Sequence, residues 1–249
     1  MKAFKSVIMA LSLAAASLTS YAGDINIGGV VFDPDYVGGI NQSDMQMSLD
    51  FTQWFVTGAD IGTYDPFAAI NPGTVVLGDE LQGSGIVTKF NEYSNGFGLC
   101  PGCELSFEFG GLMADGQGGF QSGGFFNFYV ESGADVDQLY TEGAGPLWLA
   151  LNVDLVNFTS FGAQAGPYAA GFINVLFSAV GGMAMDNFDT NTLNNELSDV
   201  FYSATAIFEG DYAQGVGTAK GDTIPEPTTV AIFGLALMGL AAGRYRKNV

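Results

Sequence analysis

The chain has no histidine among its 249 residues. That removes the commonest general base and the usual Ser-His and Cys-His nucleophile pairs. It also removes the usual catalytic zinc ligand sets, which nearly always contain histidine. Cysteine is almost as scarce: Cys100 and Cys103 are the only two, so a four-thiolate metal site lacks its second pair. Basic residues are few. Between Gly23 and Ile224 only Lys89 and Lys220 stand against 25 of the 26 acids, a net charge of −23 for that span. Such a surface repels nucleic acid and anionic lipid headgroups, and suits solubility outside the cell. No repeat of roughly 20–50 residues is present, which disfavours solenoids and propellers. No glycine-rich stretch continues into the Lys-Ser/Thr that a phosphate cradle needs.

What is present begins with the two ends. Lys2 and Lys5 precede an apolar run from Val7 to Ala16, and Ser20-Tyr21-Ala22 forms a small-x-small cleavage site. These are the parts of a secretory signal peptide over residues 1–22, with cleavage between Ala22 and Gly23. At the other end Pro225-Glu226-Pro227 leads into an apolar run from Thr228 to Gly243, closed by Arg244, Arg246 and Lys247. A helix over 228–243 reaches roughly 24 Å, slightly short of a hydrocarbon core of about 30 Å. Its basic end is a membrane stop that stays cytoplasmic. The expected organisation is a signal peptide (1–22), an acidic Gly/Phe-rich β-domain (23–224) and a C-terminal sorting segment (225–249) with a transmembrane helix.

The middle span is expected to fold. Charged residues are 13% of the chain against 48% hydrophobic, with 21 Phe, too much apolar surface for a disordered tail. Glycines cluster in pairs such as Gly110-Gly111 and Gly123-Gly124, which read as turns between short strands. Alternation is legible in Leu105 to Phe109, Phe126 to Val130, Leu147 to Val153 and Val200 to Phe208. Further strands are expected at 25–32, 45–56, 74–77 and 86–90; the apolar stretch 171–185 reads as strand or helix, and 193–197 as a helical turn. Nine or ten such strands predict an all-β domain, a β-sandwich or jelly-roll of short antiparallel strands.

Chemistry-bearing patterns are few. Cys100-Pro101-Gly102-Cys103 is open to reading as a redox site, half a metal site or a local disulfide; in an oxidising compartment a disulfide pinning the turn before the Leu105 strand is the simplest outcome. Asp186, Asp189 and Asn191 bring oxygen ligands together, as do Asp33 with Asp35 and Asp135 with Asp137, which would suit Ca2+. None matches an EF-hand loop, and ordinary Asx turns explain each equally well. Asn41-Gln42-Ser43 and Asn157-Phe158-Thr159 match the three-residue glycosylation pattern. Trp54, Tyr129, Trp148 and Tyr202 are aromatics that could stack on sugar rings, though a core role suits each better. Two carboxylates would suffice for a glycosidase, but the acids are scattered over turns and wet strand faces, so the chain is expected not to be an enzyme.

Ile224-Pro225-Glu226-Pro227, the apolar run and the Arg-Tyr-Arg-Lys end resemble the PEP-CTERM sorting signal of Gram-negative bacteria. The resemblance covers about a tenth of the chain. It implies recognition by an exosortase, which cuts near the tripeptide, after signal peptidase has acted and while the chain is held transiently at the inner membrane. Tails of this type have also been labelled ice-binding, but the middle span lacks the regular Thr arrays that activity would suggest. The stretches at 105–111, 126–130 and 187–192 resemble the flocculation-associated PEP-CTERM proteins. That resemblance implies a surface or extracellular-matrix protein supporting cell aggregation, flocculation or biofilm formation with exopolysaccharide. The alternatives are a calcium-dependent carbohydrate-binding module and a histidine-free carbohydrate-active enzyme. The exported protein is expected to end near Pro225-Glu226-Pro227. Mass spectrometry of its C-terminus checks this, and an intact Val249 would defeat the sorting reading.

Overall fold

The computed structural model describes residues 23–37, 43–94, 98–132, 145–161 and 166–224. The signal peptide 1–22 and the sorting segment 225–249 therefore lie outside the described residues, with Ala22, Pro225, Glu226, Pro227, Arg244, Arg246 and Lys247. So do Asp135, Asp137 and Asn41.

Two short strands, β1 (Ile25–Ile27) and β2 (Val30–Phe32), form a hairpin. The remaining strands are β3 (Met45–Val56), β4 (Glu80–Phe90), β5 (Tyr93–Ser94), β6 (Cys103–Met113), β7 (Phe125–Ser132), β8 (Leu147–Ser160), β9 (Ala170–Gly181), β10 (Val200–Glu209) and β11 (Tyr212–Gly221). The only α-helix among the described residues is α1 (Met185–Phe188). Sequential strands pair antiparallel from β6 to β11, β4 joins β6, and β3 lies between β4 and β11. The sheet therefore closes on itself as an eight-stranded up-and-down barrel.

This corrects the expected sandwich or jelly roll. Strands buried on one face fit either architecture; the pairing of the first long strand with the last decides for the barrel. The predicted transmembrane helix, 228–243, lies outside the described residues. Among the described residues no helix is long and apolar enough to cross a membrane.

Barrel closure explains the glycines and the aromatics together. Eight strands leave an interior just wide enough for side chains to fill, so large residues must face small ones. The inward residues of β11 are Ala213, Gly215, Gly217, Ala219 and Gly221, and the rings of Phe51 and Tyr202 occupy the space they leave. A Cβ on Gly215 would lie 2.2 Å from Phe51 Cζ, and one on Gly217 2.5 Å from the Tyr202 hydroxyl. Phe109 lies over Gly83, Phe107 over Gly85 and Phe158 over Gly171 in the same way. Phe107, Phe109, Phe126 and Phe128 stack along β6 and β7 with centroids 4.7–5.8 Å apart. Voids of about 30 Å3, room for a water or two, lie among these rings. Among the described residues the interior is a packed core.

Both ends are stoppered. At the lower end, where β3 begins and β11 finishes, the β1–β2 hairpin and α1 cover the opening. Phe32, Phe90, Trp148 and Phe188 are all fully buried there. Phe32 stacks on Phe90 at 5.0 Å, and Trp148 Nε1 donates to the Ile27 carbonyl at 3.0 Å. At the upper end Phe120 and Tyr168 pack on Phe55. Asp115 holds the 115–119 turn beneath them, accepting from the N–H groups of Gln117 and Gly119.

Several expected elements differ in detail. Residues 25–32 are a hairpin because Gly28 and Gly29 turn the chain with positive φ. Residues 74–77 form no strand; a 3-10 turn at Pro72–Thr74 precedes an exposed loop. Residues 171–185 are strand until Gly181, and 193–197 form a turn closed by a bridge from Leu193 to Ser198. Strand β11 was not foreseen.

Replacing Gly215 by Ala forces a Cβ into the Phe51 ring, and strain of this kind costs about 1–3 kcal/mol. A urea midpoint unchanged in Gly215→Ala would show that the interior is looser than described.

Candidate functional site

The two ends of the folded span meet at the lower end of the barrel. Asp24 Oδ2 accepts a hydrogen bond from the Tyr93 hydroxyl at 2.6 Å, which ties down the residue next to the expected mature N-terminus, Gly23. That contact, with Asp24's charge, pushes the Tyr93 hydroxyl up to about 12. The chain leaves β11 at Gly221, paired with Met45 and Val200, and runs on through Asp222, Thr223 and Ile224. Thr223 Oγ1 donates to the Pro34 carbonyl at 2.8 Å, just beyond β2. The Ile224 N–H donates to the Asn187 carbonyl at 2.8 Å, in α1.

Residues 223–247 match the family model of the PEP-CTERM protein-sorting motif. The chain carries a PEP-CTERM sorting signal. That signal implies export and processing by an exosortase at the membrane. No curated protein and no solved structure matches the chain. The PEP-CTERM motif thus begins inside the folded domain: its first two residues, Thr223 and Ile224, belong to the barrel's lower end.

Around this junction of the PEP-CTERM protein the carboxylates crowd. Asp44 is pushed above the usual carboxylate range, first by burial and then by the charges of Asp222, Asp35 and Asp33, against the Thr223 N–H that favours its ionised form. Asp35 donates its N–H to Asp33 Oδ1 at 2.9 Å, an Asx turn around Pro34. Of the expected calcium ligands, Asp189 and Asn191 are brought side by side. Asn191 turns its amide N–H onto Asp189 Oδ1 at 2.7 Å, and its own backbone N–H goes to Asp199. Among the described residues no group of three or more acidic or thiol side chains is placed to hold a metal ion.

Sequence reasoning passed over Asp199. It is 1% exposed and accepts from the N–H groups of Ala179, Thr190 and Asn191, which pins the segment after α1 to β9. Glu80, 2% exposed at the upper end, accepts from the Gly62 and Gly111 N–H groups and from Gln82 Nε2. Both carboxylates bind backbone N–H groups. No local pattern marks either: Asp199 stands just before β10 and Glu80 opens β4, where both faces are buried.

Cys100 and Cys103 are bonded to each other, with Cα atoms 5.0 Å apart. Their loop packs on Gly29 of the N-terminal hairpin, and the Leu99 carbonyl accepts the Val31 N–H at 2.8 Å. Of the four aromatics, Trp54, Trp148 and Tyr202 are buried and Tyr129 half-buried, its hydroxyl donating to Glu108. The three buried rings offer no face to a sugar.

The exposed feature of note is the outer wall. Cross-strand register lines up Thr159, Phe172, Thr205, Val216, Asp50 and Ile86 in one row. The row below holds Asn157, Asn174, Ser203, Thr218, Ser48 and Lys89. Asp50 and Lys89, of opposite sign, are the two charges among these twelve residues. A shallow depression of about 510 Å3 lies across it, bordered by Ile86, Thr205, Ile207, Gln214 and Val216. Ile207 and Val216 are 57% and 63% exposed.

Because the folded state raises the Asp44 pKa, its ionisation opposes folding: that penalty is absent below the unfolded pKa and grows as pH rises through the folded value. Asp44→Asn should therefore be more stable than the parent at pH ~7, the advantage fading towards pH ~3, below the ordinary carboxylate range. Urea midpoints across that interval test it; an advantage independent of pH would contradict the crowding.

Proposed function

We propose that this exported protein is a non-enzymatic component of the surface or extracellular matrix, holding exopolysaccharide and so supporting cell aggregation, flocculation or biofilm formation. The observation that carries this reading is the outer wall across β8–β11 and β3. On a domain of net charge −23, it offers two rows of hydroxyls, amides and apolar groups whose only charges are one carboxylate, Asp50, and one ammonium, Lys89. Neighbouring strands lie about 4.7–4.9 Å apart, so such rows supply closely spaced hydrogen-bonding groups beside apolar ones. A neutral, hydroxyl-rich chain meets no repulsion there, whereas the rest of the surface disfavours anionic partners. Exposed aliphatic side chains grouped on one face mark interaction surfaces more often than chance.

A carbohydrate-active enzyme is the weaker reading. Hydrolysis by two carboxylates needs both in one sugar-sized cleft, and the buried Glu80 and Asp199 instead hold backbone N–H groups. A calcium-dependent binding module would have to draw on Asp33, which already accepts the Asp35 N–H, or on Asp189, which already accepts from the Asn191 amide.

Deleting the gene should reduce aggregation of the producing cells, and restoring it with Val216→Glu should not rescue them although the variant is exported at the parental level. Binding of the mature protein to the producer's extracted polysaccharide should fall about tenfold in that variant. Aggregation and binding both unaffected would remove the wall, and with it the matrix reading.

A further inference from the structure

We propose that the barrel controls access to its own sorting signal: the first residues of the motif are clasped into the fold, and exosortase processing waits for the clasp to open. The proposal rests on the reading of residues 223–247 as a sorting signal.

Four groups make the clasp. Thr223 is 6% exposed, its hydroxyl donates to the Pro34 carbonyl, and its N–H faces the Asp44 carboxylate. Ile224 is bound at both of its backbone groups. Its N–H donates to the Asn187 carbonyl at 2.8 Å, and its carbonyl accepts from Asn187 Nδ2 at 3.4 Å. The next residue is Pro225, the start of the tripeptide, so no spacer separates the clasp from the processing region.

Each anchor belongs to the stopper of the lower end. Pro34 follows β2, whose Phe32 is buried in the aromatic plug, and Asn187 stands beside Phe188 in the same plug. The clasp therefore exists only when the N-terminal hairpin, α1 and β11 are all in place. Enzymes that take extended peptides recognise them largely through backbone N–H and C=O groups on either side of the cut. In the closed clasp those groups of Ile224 are already engaged. Local opening, well short of unfolding the barrel, releases them.

The test uses the full chain in an exosortase-bearing host, with precursor conversion followed by pulse-chase and the C-terminus read by mass spectrometry. Asn187→Ala removes one hydrogen bond to Ile224 and loosens its partner. A ten-residue Gly/Ser insertion between Ile224 and Pro225 leaves the clasp intact but moves the tripeptide clear of it. Both should speed conversion roughly five- to tenfold, the loss expected from a bond or two of this kind, and the combination should be no faster than the insertion alone. Conversion at the parental rate or slower in the insertion variant overturns the clasp, whatever Asn187→Ala does to folding. Retention of Val249 in parent and variants alike, beside a processed control substrate, overturns the sorting reading and the clasp with it.

Discussion

Closure of β11 onto β3 is the pairing on which the rest of the molecule depends. Ten register pairs from Tyr212↔Trp54 to Gly221↔Met45 join the last strand to the first long one. Without them β3 and β11 would be open edges, each a row of unpaired backbone groups. With them the interior becomes a closed space of fixed width, and its filling is a problem of matching volumes. The glycines of β4, β9 and β11 are where rings lie flat against the wall, so composition and architecture answer to one constraint.

Closure also decides what the ends must do. A barrel open at both mouths would wet its aromatic core, so each mouth is stoppered from a different part of the chain. The lower stopper combines the N-terminal hairpin, braced by the Cys100–Cys103 loop, with α1 and the segment that Asp199 gathers. Because β11 runs down to that same mouth, the start of the sorting motif is delivered into the stopper. The targeting signal and the core are thereby coupled through Pro34 and Asn187, residues with no part in the motif itself.

Much of this was legible in local pattern. Strand β3 was read at its true limits, and inward faces such as Leu105, Phe107 and Phe109 or Tyr202, Ala204 and Ala206 followed from simple alternation. Strand β11 was missed because its inward positions are Ala213, Gly215, Gly217 and Ala219, which give no hydrophobic period. Their smallness is a response to rings on other strands, and that demand is not written in the segment itself. The sandwich expectation failed for the same reason: alternation tells which face is buried, not which strand lies beside which. Trp54 is the converse case, an outward residue buried because the 57–79 loop folds over it, with Tyr64 edge-on at 5.4 Å.

By itself the sequence determined the address, the all-β class and most inward faces, because targeting motifs and two-residue periodicity are local properties of a chain. The tertiary structure alone decided that the sheet closes and that Trp54, on its outer face, is covered by a loop. It also set one wall of balanced charge on an acidic protein and fastened the sorting motif at Thr223 and Ile224. Those outcomes depend on contacts between residues far apart in the chain, such as Thr223 with Pro34. No local pattern carries them, because they come from filling one enclosed volume with side chains drawn from every strand.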